Sequence, residues 1–318
     1  MSSQISSKAA LVAAVATAAL ALSACGSNSL STAGASSTTT TGGSGSSSSG
    51  SSSAPASPAT KDAGLAAALP AKIRSAGTIV VGTDATYAPN EFLGSDGKTV
   101  QGMDVDLFDA IAKAFGVKAQ YKPANFDSII LGVKSGKYDL GLSSFTINAD
   151  REKQVNMVSY FNAGTQWVVA KGNPKKVDPA NACGLSIGVQ KGTVQIDDLT
   201  ARSKKCTQAG KKPITQVVEQ AQDKVTADVV SGKTAAMLAD SPVGLYAVKQ
   251  TGGKLQSVGA IYDSAPYGIV APKNETAFAA AIAKALKSLS TSGGYKAALA
   301  KWGNQSGAIT DFAVNPKP

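Results

Sequence analysis

The side chains best placed to do chemistry lie where short apolar runs end. Asp84 follows Thr78 to Thr83, Ser143 and Ser144 close the run after Tyr138, Gln190 and Thr193 follow Ile187 to Val189, and Asp240 and Ser241 follow Ala235 to Leu238. Carboxylates, amides and hydroxyls gathered at strand ends complement a small zwitterion, with acceptors for an ammonium and donors for a carboxylate. Covalent and metal chemistry is poorly provided for. The 318 residues include no His, which removes Ser-His-Asp and Cys-His pairs, His-ligated zinc and His pH switches, and the 3 Cys cannot complete a four-thiolate metal site.

Two motif fragments fail on their own spacing. Ser231-Gly232-Lys233-Thr234 ends like a phosphate loop, but Ala227 stands where the first Gly is needed. Asp104, Asp106 and Asp109 hint at a calcium loop without its Gly or terminal Glu; Asp106 reads as a charge at a helix N-terminus. The 31 Lys and Arg exceed the 21 Asp and Glu, giving a formal charge of +10, but no basic run is longer than two residues. Nucleic acid is therefore not an expected partner, and the charge reads as solvated surface.

The elements that must position these groups alternate between β-branched runs and amphipathic stretches, the pattern of an α/β fold. Leu107, Phe108, Ile111, Ala114 and Phe115 recur at helical spacing before Gly116. A repeated phrase is more telling. Ser135-Gly136-Lys137 follows a helical stretch at 128–133 and opens a strand, and Ser231-Gly232-Lys233 does the same after 223–230. The turn Gln190-Lys191-Gly192-Thr193 likewise repeats the design of Val80 to Thr83, so the chain reads as two α/β lobes built on one plan.

The first sixty residues read differently. Lys8 precedes an apolar stretch, Ala9 to Leu22, that is too short to span a bilayer and fits a secretory leader. Leu22-Ser23-Ala24-Cys25 looks like a bacterial lipobox, so 1–24 is expected to be a lipoprotein signal peptide and Cys25 the lipid-bearing residue. Residues 27–60 are almost entirely Ser, Thr, Gly, Ala and Pro, without one Lys, Arg, Asp or Glu. Such a segment cannot order itself and would serve as a tether with a reach of roughly 30 Å. Cys183 and Cys206 remain, and in an exported protein they most simply form one disulfide.

Several segments together resemble the family 3 solute-binding proteins, the polar amino acid receptors of ABC importers. They are Val81-Gly82-Thr83-Asp84-Ala85-Thr86-Tyr87-Ala88-Pro89, Gly102-Met103-Asp104-Val105-Asp106-Leu107, Ser143-Ser144-Phe145-Thr146-Ile147-Asn148-Ala149-Asp150-Arg151, Gln190-Lys191-Gly192-Thr193 and Ala239-Asp240. The resemblance implies an α/β, two-lobe periplasmic-binding-protein fold of type II: two doubly wound sheets joined by a two-strand hinge, with a ligand cleft between. Lobe 1 would comprise 61–168 plus 268–318 and lobe 2 169–267, with crossings near Val168–Lys171 and Asp263–Gly268.

The same resemblance implies the site. Arg151 would fork onto the ligand carboxylate, with donors from Ser143, Ser144 and Thr146 on its own lobe and Thr193 on the other. Asp240 and the Ser144 carbonyl would accept from the ammonium. Tyr87 and Phe126 would sandwich the aliphatic stem, Asp84 would favour a side chain bearing a donor, and Gln190 and Ala239 would line the far end. Asn90 stands where Phe is common after the Tyr-Ala-Pro turn, and Val194 where Thr or Gly is common.

The implied function is extracytoplasmic capture of a polar L-amino acid by cleft closure, and delivery to a membrane permease driven by an ATPase. No catalytic residue, metal or cofactor is expected. The protein would be a monomer held by lipid on the outer face of the cell membrane. An amino acid sensing subunit would need the same capture, although no transmembrane segment or catalytic domain follows the last helical stretches, 277–289 and 295–302. A cyclohexadienyl-dehydratase-like enzyme on this scaffold would need a general acid, for which Glu91 is the loose candidate. Cys25→Ser is expected to move the exported protein from the membrane to the soluble fraction; unchanged partition would refute lipidation at Cys25.

Overall fold

The β-branched runs and amphipathic stretches fold into strand-helix-strand units twice over. The computed structural model describes residues 61–317, so the leader, Cys25 and the tether lie outside the described residues. Two short helices open it: α1 (Ala63–Ala67), where Asp62 Oδ1 accepts from the Gly64 and Leu65 amides, and α2 (Ala71–Ala76), which ends on Gly77.

The first half then runs through β1 (Thr78–Thr83), a small sheet of β2 (Thr86–Tyr87), β3 (Glu91–Leu93) and β4 (Val100–Gln101), α3 (Met103–Phe115), β5 (Lys118–Pro123), α4 (Phe126–Lys134), β6 (Leu140–Thr146) and the single turn α5 (Ala149–Glu152). Helix α3 buries Leu107, Phe108, Ile111 and Phe115, as their spacing predicts, and ends at Gly116. It starts at Gly102, where φ is 142° and a Cβ would stand 2.1 Å from the Asn90 carbonyl oxygen; no side chain fits there.

The second half is β8 (Ser186–Gln190), α6 (Val194–Gln208), β9 (Thr215–Glu219), α7 (Gln222–Val230), β10 (Ala236–Asp240) and α8 (Ser241–Gln250). The two halves repeat one pattern: β1 lies parallel between β5 and β6, and β8 lies parallel between β9 and β10. Gly136 and Gly232 follow α4 and α7 with φ of 77° and 78°, so the repeated Ser-Gly-Lys phrase stops a helix both times.

Two long antiparallel strands, β7 (Asn156–Ala170) and β11 (Leu255–Ala271), are shared between the halves. One end of β11 pairs with β6 and one end of β7 with β10, so the sheet order is β5-β1-β6-β11-β7-β10-β8-β9 and both doubly wound units join one eight-stranded ladder. The first crossing lies ahead of where the sequence places it. Thr165 to Val169 already pair with β10, which moves the first crossing from Val168–Lys171 back to residues 162–164. The reason is packing: Trp167 and Val169 belong to the apolar cluster of the second half, with Ile187 and Leu238. On β11 the register breaks between Val258 and Ala265, and Tyr267 already pairs with β6, so that crossing precedes Tyr267.

After β11 the chain returns to the first half as α9 (Thr276–Thr291) and α10 (Gly294–Lys301). Phe278, Ile282 and Leu286 of α9 complete the cluster that includes Ile79, Phe108 and Leu140. Each such buried side chain contributes on the order of 1.5 to 3 kcal/mol.

Cys183, just before β8, is bonded to Cys206 in α6. The bridge ties the start of β8 to the last turns of the helix that follows it. With a sequence separation of 23, its removal as Cys183→Ser with Cys206→Ser is expected to lower the unfolding free energy by about 3 kcal/mol in denaturant titrations. Equal stability of the two proteins would show that the closed loop contributes nothing.

Candidate functional site

Strands of an open α/β sheet expose their last residues where helix N-termini begin, and the two halves of this sheet turn those edges toward each other. Asp84 lies just past β1, Ser143, Ser144 and Thr146 end β6, Gln190 ends β8 and Asp240 ends β10. Together with Tyr87, Phe126, Arg151 and Thr193 they line one tightly closed cavity. All ten ligand contacts implied by the sequence are therefore brought together, and Val194 and Gln195 join them.

Arg151 sits in α5, whose start is fixed by Asn148 Oδ1 accepting from the Arg151 amide. Its side chain is buried beside the Phe126 and Phe145 rings, which stack on each other at 4.6 Å, with the guanidinium 5.4 and 5.5 Å from their centroids. Nη1 donates to the Thr146 carbonyl at 2.7 Å, and Nη2 donates to the Gly192 carbonyl of the other half at 3.0 Å. A guanidinium has five N–H donors, so three remain for a ligand. Burial pushes its pKa down to about 10, opposed by the charge of Asp240, and it stays cationic at neutral pH.

Asp240 is buried at the end of β10. Its Oδ1 accepts from Gln195 Nε2 at 2.7 Å and its Oδ2 from the Tyr267 hydroxyl at 2.8 Å, while its amide donates to the Tyr87 hydroxyl at 3.2 Å. Burial raises its pKa above the usual carboxylate range, and the hydrogen bonds and the Arg151 charge oppose that rise. Gln195 also donates to Thr165 Oγ1 at 3.1 Å.

Asp84 is fully engaged. Oδ1 accepts from the Thr86 amide and hydroxyl, and Oδ2 from the Phe126 amide and Gln190 Nε2, the latter reaching across from the other half at 3.0 Å. Burial raises its pKa against these hydrogen bonds. Two further links span the halves: Lys191 with Asp127 at 2.9 Å, and the Gln222 amide to Thr86 Oγ1 at 3.0 Å.

Some details differ from the expectation. The Thr193 hydroxyl donates to the Gln190 carbonyl at 2.8 Å, so its proton is committed within the turn and only its main chain and oxygen face outward chemistry. Ala239 packs with Tyr87 and Val243 instead of lining the cavity. Asp106 is in the first turn of α3, as expected, and accepts from Trp302 Nε1 at 2.6 Å with Lys301 at 2.8 Å. Glu91 does not line the cavity; it is buried beneath it, under Ser143 and Ser144. Among the described residues, no group of three or more His, Cys, Asp or Glu is poised to hold a metal, and no helix is long and apolar enough to cross a membrane.

The sequence pattern of the bacterial extracellular solute-binding proteins, family 3, matches residues 79–305, which spans both halves and every residue of the cavity. The chain belongs to that family. Among relatives of this solute-binding protein, the arginine-binding protein ArgT of Corynebacterium glutamicum is 33% identical over 253 residues, covering 79% of this chain and 83% of that protein. The L-cystine-binding protein TcyJ of Escherichia coli is 28% identical over 235 residues, covering 73% of this chain and 84% of that protein. The solved structure of an ancestral arginine-binding protein bound to arginine overlays with a TM-score of 0.66 at 34% identity, over 71% of this chain and 98% of that one. The fold is thus that of the type II periplasmic binding proteins. The relatives are binding proteins, and this chain is one as well, not an enzyme.

Two residues of the site escaped the sequence reading. Gln195 carried one signal, a polar side chain in the first turn of a helix opening on a binding edge, but nothing in its surroundings distinguishes it from a solvated Gln. Tyr267 had none, because a Tyr on a long strand reads as core. Gln195→Leu leaves Asp240 short of a buried donor and is expected to lower the unfolding free energy by about 1 to 3 kcal/mol at neutral pH. Denaturant titration of the two proteins measures it, and no change would mean that the hydrogen bond contributes nothing.

Proposed function

We propose that this solute-binding protein captures a polar L-amino acid outside the cytoplasm and delivers it to an ABC importer permease driven by its ATPase. One observation carries the reading: a guanidinium from one half and a carboxylate from the other, Arg151 and Asp240, are buried in the same small cavity. A free amino acid presents the two complementary charges on one carbon. Its carboxylate would lie against the open donors of Arg151 and the first turn of α6, whose leading N–H groups have no acceptor within the helix. Its ammonium would lie against Asp240 and the Ser144 carbonyl, with the stem between Tyr87 and Phe126.

The charge count bears on the side chain. Once the zwitterion is matched, Asp84 leaves one surplus carboxylate among the lining residues. That supports a ligand whose side chain donates hydrogen bonds, which would displace Gln190 Nε2 from Asp84. L-Arginine is the first probe, given the arginine-binding relatives.

The two halves act as lobes, residues 61–161 with 267–317 and residues 165–258, joined through the crossing segments of β7 and β11. Because the carboxylate and ammonium groups of one ligand are met from different lobes, binding is coupled to their approach. Cys25 carries the lipid, and the tether holds a monomer off the outer face of the membrane. The leader, the lipobox and the extracellular character of the family support this placement.

A thermal-shift panel of the twenty amino acids tests the ligand class. A ligand at 100 times its dissociation constant is expected to stabilise the protein by about 2.7 kcal/mol. Arg151→Ala and Asp240→Ala each leave a ligand charge unpaired and are expected to weaken binding by about 2 to 5 kcal/mol in calorimetry. No response to any amino acid alongside a clear response to a sugar or an oligopeptide would overturn the reading, and wild-type affinity in either variant would remove that residue from the site.

A further inference from the structure

Beneath the cavity lie two carboxyl groups that no ligand contact explains. Glu91, the first residue of β3, and Asp104, in the first turn of α3, are both fully buried, and no ion pair among the described residues includes either. The titratable groups that face the pair are Asp84 past β1, Tyr87 on β2, Tyr121 on β5 and Tyr160 on β7; none is cationic. The two carboxyls converge on one hydroxyl: Ser144 Oγ lies 3.2 Å from Glu91 Oε2 and 3.4 Å from Asp104 Oδ2.

Their neighbours tie them to the binding edge. Glu91 Oε1 accepts from the Ser143 hydroxyl, and Ser143 Oγ in turn accepts from the Asp84 amide at 3.0 Å. Glu91 Oε2 accepts from the Ser144 hydroxyl, whose oxygen accepts from Asn90 Nδ2 at 2.9 Å. One carboxyl thus holds the ends of both β1 and β6, the strand ends that present Asp84, Ser143 and Ser144 to the cavity. Ser144 has a φ of 51°, a left-handed backbone that a serine adopts only when its surroundings enforce it. Asp104 Oδ2 accepts from the Tyr160 hydroxyl at 2.5 Å, while Asp104 Oδ1 has no hydrogen-bond partner among the described residues.

Two ionised carboxylates side by side in a dry interior, with one oxygen orphaned, would be costly. A single proton on Glu91 removes one charge and supplies a donor to Asp104, and both Glu91 oxygens still accept from the serines. We infer that Glu91 and Asp104 share one proton and act as a positioning pair, holding the ends of β1 and β6 in the arrangement that receives the amino acid. Burial, then the charge and hydrogen bond of Asp104, raise the Glu91 pKa well above the usual carboxylate range, and burial pushes Asp104 up to about 6, in keeping with a shared proton. Neither residue touches ligand; the role is exercised through Ser143, Ser144 and Asp84, and its link to binding rests on the amino acid reading above.

Three readouts test the pair. In ligand-free protein at neutral pH, infrared spectroscopy is expected to show a protonated carboxyl stretch that Glu91→Gln removes. Native protein that holds a proton lost on unfolding becomes less stable as pH rises above the unfolded value and until the folded value is passed. The wild-type unfolding constant is therefore expected to rise with pH by up to about tenfold per unit relative to Glu91→Gln and to Asp104→Asn. For binding, Glu91→Gln, whose amide can both donate to Asp104 and accept from a serine, is expected to keep L-arginine affinity close to wild type, while Glu91→Ala loses about tenfold or more. A missing infrared band, or an identical pH slope in wild type and both conservative variants, overturns the shared proton. Equal affinity in Glu91→Ala and wild type overturns the positioning role. If L-arginine binds none of the proteins, arginine is not the ligand, the comparison is run with the amino acid that responds in the thermal-shift panel, and the two ligand-free measurements decide the shared proton in either case.

Discussion

A charge buried without a partner costs several kcal/mol, and this constraint organises the molecule. Arg151 and Asp240 are held in one cavity by different halves of the sheet, each near enough to bias the other's ionisation. Among the described residues, neither is neutralised by a direct ion pair. Arg151 is instead kept by two carbonyls and a stacked pair of aromatic rings beside it, and Asp240 by an amide and two tyrosines. Neutral partners of this kind fix a charged group in place and leave its charge available. That is the arrangement a receptor for an ionic solute needs.

The framework explains how such groups stay aligned. Every lining side chain comes from the last residues of a strand, from the turn after it or from the first turn of a helix, where the backbone is anchored on one side and open on the other. Gly192 shows how close the fit is: its carbonyl receives Arg151 and its position leaves no room for a Cβ, which would lie 2.8 Å from the Asp127 Cβ. The layer below is equally specific. Asn90, which departs from the common aromatic at its place, donates to Ser144 and accepts from Asn304, so a polar side chain there serves the same strand end that Glu91 holds.

Much of this was legible in the sequence because it depends on local pattern. The Ser-Gly-Lys repeat marked equivalent helix stops in the two halves, the apolar spacing from Leu107 to Phe115 marked α3, and polar residues after apolar runs marked the binding edge. The first crossing was not legible: β7 mixes apolar residues with Ser159, Asn162, Thr165 and Gln166 from Met157 to Ala170, and that pattern does not mark where the strand changes neighbours. Residues that act through a second residue were equally hidden. Tyr267, Gln195 and the Glu91–Asp104 pair acquire meaning only from contacts between segments far apart in sequence, and Glu91 read alone looked like a free acid.

The two long strands also impose an order on assembly. The second half is one uninterrupted stretch of chain between β7 and β11, whereas the first half lacks α9 and α10 until the chain has passed the second half and β11. Its apolar cluster needs Phe278, Ile282 and Leu286 to close over Phe108. A chain emerging from its N-terminus can therefore complete the inner unit early, while the outer unit keeps an uncovered apolar face until its final helices arrive.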